Sequence, residues 1–266
     1  MFDSIAGDYD ALNHILSLDV DKLWRKKALK QIVDAPAPAR VLDLACGTGD
    51  FSIAIAKALS RSHKRVGTPI EAHVKAPAKA PVEAQVTSTG FVTGDSGRSD
   101  LMTKGHVTGV DLSEGMLAVM REKVQKSGLT EMISIEEGDG ENLRFPDNTF
   151  DRVTIAFGIR NFENREKGLR EMLRVLKPGG RLVILELSRP ENKIIRWFYD
   201  LYFLHILPKI GGKVSGDKAA YAYLPASVAA FPGKKAFMAT MREAGFRTVT
   251  HKAFTLGICR MYTGEK

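Results

Sequence analysis

The residues best placed to do chemistry begin at Asp43-Leu44-Ala45-Cys46-Gly47-Thr48-Gly49-Asp50. The apolar run Val41 to Ala45 reads as a buried strand, Gly47-Thr48-Gly49 breaks it, and Phe51 to Leu59 resumes at helical spacing. Strand, glycine turn and helix form the opening unit of a nucleotide-binding α/β domain. Glycine lets a ligand approach the backbone closely and permits positive φ. The helix that follows aims unpaired N–H groups over the turn. The third glycine of a dinucleotide fingerprint is missing, so NAD is not the first choice. Two acids extend the pattern. Asp111, in Gly109-Val110-Asp111-Leu112-Ser113, ends the next strand, and Asp139, in Gly138-Asp139-Gly140, follows the one after. Alone, Asp111 also fits a helix N-cap and Asp139 a plain turn. Together, at successive strand ends beside a glycine turn, they line a crevice with acceptors for a nucleoside.

The form Asp-x-x-Cys-Gly-x-Gly, with the acid inside the strand, resembles motif I of S-adenosylmethionine-dependent methyltransferases. That resemblance implies a division of roles. Gly47 and Gly49 lie against the methionine part of the cofactor, and Thr48 touches it directly. Asp111 accepts hydrogen bonds from both ribose hydroxyls, and Asp139 accepts from the adenine amine, with Gly140 beside it. Asp43 orients the turn from within the strand. No metal is expected, since Cys46 and Cys259 have no zinc-type spacing.

These residues need an α/β frame to hold them. Phe2, Ile5, Tyr9, Leu12 and Leu16 recur at helical steps, and a second helix is expected over Val20 to Val33, capped by Asp19 or Asp21. Pro36 and Pro38 form a linker. Residues 60–105 contain a Lys/Ala/Pro tract and a Thr/Ser/Gly-rich run, the composition of a disordered insertion. Strands follow at His106 to Asp111, Ile133 to Asp139, Phe150 to Phe157 and Arg181 to Leu187. Helices are expected at Glu114 to Ser127, capped by Ser113, and at Glu163 to Leu176, ended by Lys177-Pro178-Gly179-Gly180. Ile194 to Ile210 is strongly apolar, Gly211 to Gly233 reads as loop, and Lys234 to Ala244 as helix. Phe246 to Phe254 and Gly257 to Thr263 close the chain as a strand pair. The expected fold class is α/β: a doubly wound, mainly parallel seven-stranded sheet with an antiparallel C-terminal edge pair. One domain spans 1–266, with an N-terminal helical cover at 1–35 and a substrate-side lid at 191–233.

Longer pieces resemble the ubiquinone/menaquinone biosynthesis C-methyltransferase family. They are Met1-Phe2-Asp3-Ser4-Ile5-Ala6 with Tyr9-Asp10 and Asn13, Leu23-Trp24-Arg25, the motif around Gly47, and Phe157-Gly158-Ile159-Arg160-Asn161. Arg174 to Gly180, Tyr223-Leu224-Pro225 with Ser227, and Phe231-Pro232-Gly233 also match. The resemblance covers nearly all of the chain outside 60–105, where family members have a short connection. They also carry a few residues ahead of Phe2, which leaves the first helix's length and the true start open. The resemblance implies methyl transfer from S-adenosylmethionine to a ring carbon of a polyprenylated quinol, demethylmenaquinol ahead of the methoxy-benzoquinol precursor of ubiquinone. Such a carbon is nucleophilic beside an oxygen losing its proton, so alignment with the sulfonium methyl does much of the work. Arg160, with Asn161 beside it, is expected at the phenolate oxygen, directly or through water; arginine is too basic to take the proton itself. Tyr9, on a helix that would cover the cofactor, is a second candidate, equally a core aromatic.

Composition excludes little. Hydrophobic residues at 44% and charged residues at 26% suit an ordinary globular chain of 266 residues. No signal peptide is expected, since Met1 is followed at once by Phe2-Asp3-Ser4, and no spanning helix, since no apolar run is long enough. The net charge of +8 suggests nucleic acid or an anionic membrane, but residues 60–105 hold seven Lys/Arg against four acids. A nucleic-acid methylase is disfavoured because Ala156-Phe157-Gly158-Ile159 stands where base-amine methylases carry an Asn/Asp-Pro-Pro-aromatic motif. A non-catalytic cofactor-binding protein is disfavoured by Gly47, Gly49, Asp111 and Arg160 standing together. The expected partners are the quinol and a membrane surface touched through 194–210, with no nucleic acid and a homo-oligomer left open. The expected location is cytoplasmic, with a peripheral place at the inner face of the membrane as an option.

Overall fold

Strand β1 (Arg40–Leu44) lies at the centre of the sheet, flanked by β2 (His106–Asp111) and β4 (Phe150–Ala156), both parallel to it. The computed structural model describes residues 19–35, 39–66, 105–202 and 218–266. Beyond β2 comes β3 (Ile133–Glu137), and beyond β4 comes β5 (Leu176–Leu187), again parallel. The last strands, β6 (Arg247–Phe254) and β7 (Cys259–Glu265), run antiparallel, with β7 inserted between β5 and β6. The order β3-β2-β1-β4-β5-β7-β6 is the expected seven-stranded mixed sheet with its antiparallel edge. The chain winds outward from β1 in one direction and from β4 in the other. A crevice therefore opens beyond their C-terminal ends, where ligands bind in such sheets.

Side chains alternate between the faces of the sheet and sort into two cores. Val41, Val107, Ile133, Val183 and Leu185 meet helices α1 (Val20–Ile32), α2 (Asp50–Val66) and α3 (Glu114–Lys126) through Ala28, Ile32, Ile55, Leu117 and Met120. On the other face Leu42, Leu44, Val153, Ile155, Leu182 and Ile184 meet α4 (Arg165–Val175) and α7 (Lys234–Glu243) through Leu169, Met172, Phe237 and Met241. Being covered on both sides makes the central strands near-continuous apolar runs. Ser113 caps α3 by accepting from the Met116 amide at 3.3 Å, and Asn164 caps α4 by accepting from the Lys167 amide at 3.0 Å.

Three boundaries differ from expectation by more than two residues. β5 begins at Leu176 rather than Arg181, so Lys177-Pro178-Gly179-Gly180, expected as a turn, lies within the strand, because Leu176 already pairs with Phe150 ahead of a register shift before Arg152. α2 continues to Val66, so residues 60–66 are helix and the start of the expected insertion moves past them. The run 218–230, read as loop because of Pro225 and the neighbouring glycines, is helix α6 (Lys218–Ala230). Burial of Ser227 and Val228 against the body of the domain overrides the proline penalty there. The expected first helix with Tyr9, the Pro36/Pro38 linker, the rest of the insertion and residues 203–217 lie outside the described residues. Asp19 holds the N-cap position of α1 in a left-handed conformation, φ 61°, without a side-chain capping bond.

Phe237 is the hinge of the second core: its ring stands 4.8 Å from Phe231 and 4.9 Å from Tyr262, and it is fully buried. Phe237→Ala should lower stability by about 3–5 kcal/mol. A melting temperature within a degree or two of the parent would contradict this packing.

Candidate functional site

The crevice is built by two strands that leave the sheet in the same unusual way. Ala45, just after β1, has φ 49°, and Phe157, just after β4, has φ 64°. Left-handed backbone at non-glycine residues costs about 1–3 kcal/mol each and clusters at functional sites. The two turns press together: a Cβ on Gly158 would stand 2.4 Å from the Ala45 Cβ, so only glycine fits. Gly47 (φ 56°) and Gly49 (φ 82°) continue the first turn, and a Cβ on Gly49 would meet the Met120 side chain at 2.4 Å. A cleft of about 360 Å³ results, within the range of small-molecule sites.

The expected cofactor residues converge on this cleft. Gly47, Asp111, Asp139 and Gly140 all line it. The Asp111 carboxylate accepts from the Gly47 amide at 2.8 Å through Oδ2 and from the Ser113 amide at 2.9 Å through Oδ1. It thereby ties the glycine turn to the end of β2. Asp139 accepts from the Glu141 amide at 2.8 Å and is exposed at the mouth of the cleft. A Cβ on Gly140 would meet Phe162 Cζ at 2.5 Å, so the glycine lets that ring close one wall. A nucleoside with a charged amino-acid tail fits these donors and acceptors. The apolar walls Leu112, Met116 and Phe162 were not singled out from sequence. Leu112 is 67% exposed beside Asp111, and the only sequence signal for it is its place between strand acid and N-cap.

Three of the expected cofactor residues lie off the cleft lining: Gly49, which turns the chain into α2, Asp43 and Thr48. Asp43 is fully enclosed beneath the turn, on the same face of β1 as Val41, and accepts from Ser52 Oγ of α2 at 2.5 Å. Burial raises its pKa to about 7, opposed by the Ser52 bond and by Arg25. Thr48 is buried and accepts from Lys123 Nζ at 3.3 Å. Thr48 lines a smaller recess with Arg25 and Asp50. Over that recess the Arg25 guanidinium of α1 stands 5.6 Å from the Phe157 ring centre. Trp24 donates its indole N–H to Thr255 Oγ1 at 2.9 Å, fastening α1 to the far edge of the sheet.

The Phe157-Gly158-Ile159-Arg160-Asn161 stretch divides into two directions. After Gly158 the chain makes one 3₁₀ turn, Ile159–Asn161. Asn161 lines the cleft, and its Oδ1 accepts from the Tyr223 hydroxyl of α6 at 2.9 Å. Arg160, expected at the acceptor oxygen, is instead 8% exposed and absent from the cleft lining. Its Nη1 donates to Glu186 Oε1 at 2.9 Å and to the Phe157 carbonyl, and its Nε donates to Ser227 Oγ at 3.3 Å. The long side chain turns inward because the fully buried carboxylate of Glu186, at the end of β5, needs a partner there. Tyr223 and Glu186 were not picked out as functional from sequence: one sat in an expected loop, the other inside an apolar strand. Tyr9 lies outside the described residues. Among the described residues no group of His, Cys, Asp and Glu is placed to hold a metal.

A seven-stranded sheet in this order, with a glycine turn and acids at the strand ends around one cleft, defines an S-adenosylmethionine-dependent methyltransferase of class I. The chain belongs to the ubiE/COQ5 methyltransferase family, whose model matches residues 1–266, and it is an S-adenosylmethionine-dependent C-methyltransferase. It is 44% identical over 266 residues to a ubiquinone/menaquinone biosynthesis C-methyltransferase UbiE of Geobacter sulfurreducens, covering all of this chain and 87% of that one. It is 39% identical over 266 residues to a demethylmenaquinone methyltransferase of Bacteroides fragilis, covering all of this chain and 91% of the other. In fold it is similar to the crystal structure of a SAM-dependent methyltransferase from Aquifex aeolicus, with TM-score 0.53 and 20% identity over 90% of this chain and 88% of that one.

Asp43 carries a pH signature. Its ordinary value is 3.8 and its folded value about 7, so folding takes up a proton between them. Stability from the neutral acid is complete below about pH 4 and is lost as pH rises through 7. Asp43→Asn should therefore gain in melting temperature relative to the parent between pH 5.5 and 8, by a few degrees. Parallel melting profiles across that range would refute a neutral Asp43.

Proposed function

We propose that the protein methylates a ring carbon of demethylmenaquinol, forming menaquinol. The observation that carries this choice of acceptor is that menaquinone formation is the one activity shared by both names its full-length relatives bear. The methoxy-polyprenyl-benzoquinol of the ubiquinone branch is the second reading, supported by the first of those names.

S-Adenosylmethionine supplies an electrophilic methyl group on a sulfonium. The chain's own part is binding, orientation and exclusion of water. Gly47 and Gly49 bring backbone against the methionine end, with Asp43 and Ser52 bracing the turn from below. Asp111 takes the ribose hydroxyls while holding the Gly47 amide, which aligns sugar and turn as one unit. Asp139 and Gly140 border the adenine end, beside the apolar wall of Leu112 and Phe162. The acceptor enters from the β4 side, where Asn161 offers a polar group. Positioning of carbon, methyl and sulfur in line then supplies much of the rate.

The helix α5 (Lys193–Leu201) suits delivery of a lipid-borne quinol. Ile194, Trp197, Phe198 and Leu201 recur on one face and are 70%, 61%, 60% and 38% exposed. Residues 189–218 carry six Lys/Arg against three acids, which complements an anionic bilayer. The opposite face, through Tyr199, packs on Val228 of α6, the helix whose Tyr223 reaches Asn161. We assign this face to the lipid surface.

Offered both quinols in reduced form with labelled S-adenosylmethionine, the protein should put label on the naphthoquinol ring. Label on the benzoquinol alone would reverse the choice, and label on neither would overturn quinol methylation. Asp111→Ala should weaken cofactor binding by about 10–100-fold in calorimetry, the loss of charge-assisted hydrogen bonds; unchanged affinity would remove Asp111 from the ribose. Trp24 is buried, so a blue shift of tryptophan emission on adding phosphatidylglycerol vesicles reports Trp197. The shift should appear with the parent and shrink in Phe198→Ser. A shift that follows protein concentration without lipid would instead assign the face to a second copy.

A further inference from the structure

The cleft shows one amide on its acceptor side, and that amide is held by an unusually connected group of residues. Asn161 lines the cleft, and its Oδ1 is occupied by the Tyr223 hydroxyl at 2.9 Å. With the carbonyl end engaged, the Nδ2 hydrogens are the part of the amide that remains for a ligand. A donor there suits an oxygen that gains negative charge and does not suit a neutral hydroxyl that must lose its proton.

What holds Asn161 is a set of bonds converging on the preceding residue. Glu186 accepts from the Arg160 backbone amide at 3.1 Å through Oε2, and from Arg160 Nη1 at 2.9 Å and the Leu187 amide at 2.8 Å through Oε1. Arg160 also donates to the Phe157 carbonyl, the left-handed residue that starts the turn. Through Ser227, at 3.3 Å from Nε, the same guanidinium reaches α6 one helical turn after Tyr223. Arg165 closes the far side, donating to the Arg160 carbonyl at 3.0 Å. One buried ion pair thus ties the end of β4, the end of β5 and α6 together around the residue that faces the cleft.

We propose that Glu186, Arg160 and Tyr223 are positioning residues that hold Asn161 as the hydrogen-bond donor to the phenolate oxygen of the acceptor. This rests on the quinol reading above. The quinol hydroxyl releases its proton to solvent, and Asn161 stabilises the oxyanion left behind. The ring carbon then forms its bond to the methyl group while sulfur keeps the electron pair of the broken S–C bond. Loss of the ring C–H proton restores the aromatic system, and the oxygen is reprotonated. The balance is one quinol and one sulfonium in, one methylated quinol, one thioether and one proton out. Arg160 in this arrangement does not touch the acceptor.

The test measures kcat and KM from pH 6 to 9 on a reduced short-chain naphthoquinol, with cofactor affinity measured separately by calorimetry. Tyr223→Phe should lower kcat by roughly 10-fold at the acid end, the worth of one hydrogen bond to a charged oxygen, with cofactor affinity unchanged. The deficit should shrink as pH rises, because solution ionisation of the phenol then replaces what Asn161 supplied. Asn161→Asp, which puts a carboxylate at the oxyanion, should lose more than Tyr223→Phe. Glu186→Gln should resemble Tyr223→Phe in pH profile; should it fail to fold, Tyr223→Phe alone decides. A deficit equal at every pH, or one shared by cofactor affinity, would make the network merely structural and overturn the proposal. A parent enzyme that methylates the naphthoquinol while Tyr223→Phe keeps its rate and profile would overturn the positioning role alone. A parent that methylates neither quinol would overturn the acceptor reading and this role with it.

Discussion

The whole site depends on how two neighbouring strands end. β1 and β4 pair in parallel register up to Leu44 and Ile155, and within two residues each chain turns through left-handed backbone, at Ala45 and at Phe157. The two turns occupy the same space only because Gly158 has no side chain. That contact opens the crevice, sends the first chain into the glycine turn and sends the second into the 3₁₀ turn that carries Asn161. It also places the Phe157 ring under Arg25, so α1 becomes part of the same structure. The glycine turn and the 3₁₀ turn that border the cleft are thus two consequences of one backbone constraint.

Buried charge is handled differently on the two sides. Beneath the glycine turn, Asp43 accepts from the Ser52 hydroxyl, and burial pushes it toward the neutral form. Beneath the 3₁₀ turn, Glu186 has a guanidinium and two backbone amides. A buried ion pair gains little over a well-packed apolar substitute, because desolvation offsets the attraction. Its effect here is geometric: it fixes which way residues 157–161 run. Breaking one partner leaves a bare charge in the interior and costs about 3–5 kcal/mol, which makes the arrangement hard to deform.

The frame was legible from residues 39–59 and from most of 105–187 because their patterns are local. Val41 to Leu44, Val153 to Ile155 and Leu182 to Leu185 are strands covered on both faces, and their apolar runs say so. Ser113 and Gly128 mark the ends of α3 by capping chemistry. The helix at 218–230 was not legible, since Pro225 and the glycines around it argue for loop and only packing on the body of the domain decides otherwise. The end of α2 was missed for the converse reason: Ser60 to Arg65 are all polar and carry no apolar periodicity by which a helix is read.

By itself the sequence determined the class of the protein. Gly47, Asp111 and Asp139 stand at strand ends, and strand ends meet at a crevice in any doubly wound sheet, so their convergence needed no coordinates. The direction of Arg160 belonged to the tertiary structure. Position along the chain brought it to the mouth of the cleft beside Asn161, but which of two adjacent side chains turns inward depends on what lies beneath. A fully buried Glu186, 26 residues away in sequence, requires a cation there, and Arg160 supplies it, leaving Asn161 to face the cleft. A residue's partner at that distance is set by the pairing of β4 with β5, which no local pattern contains.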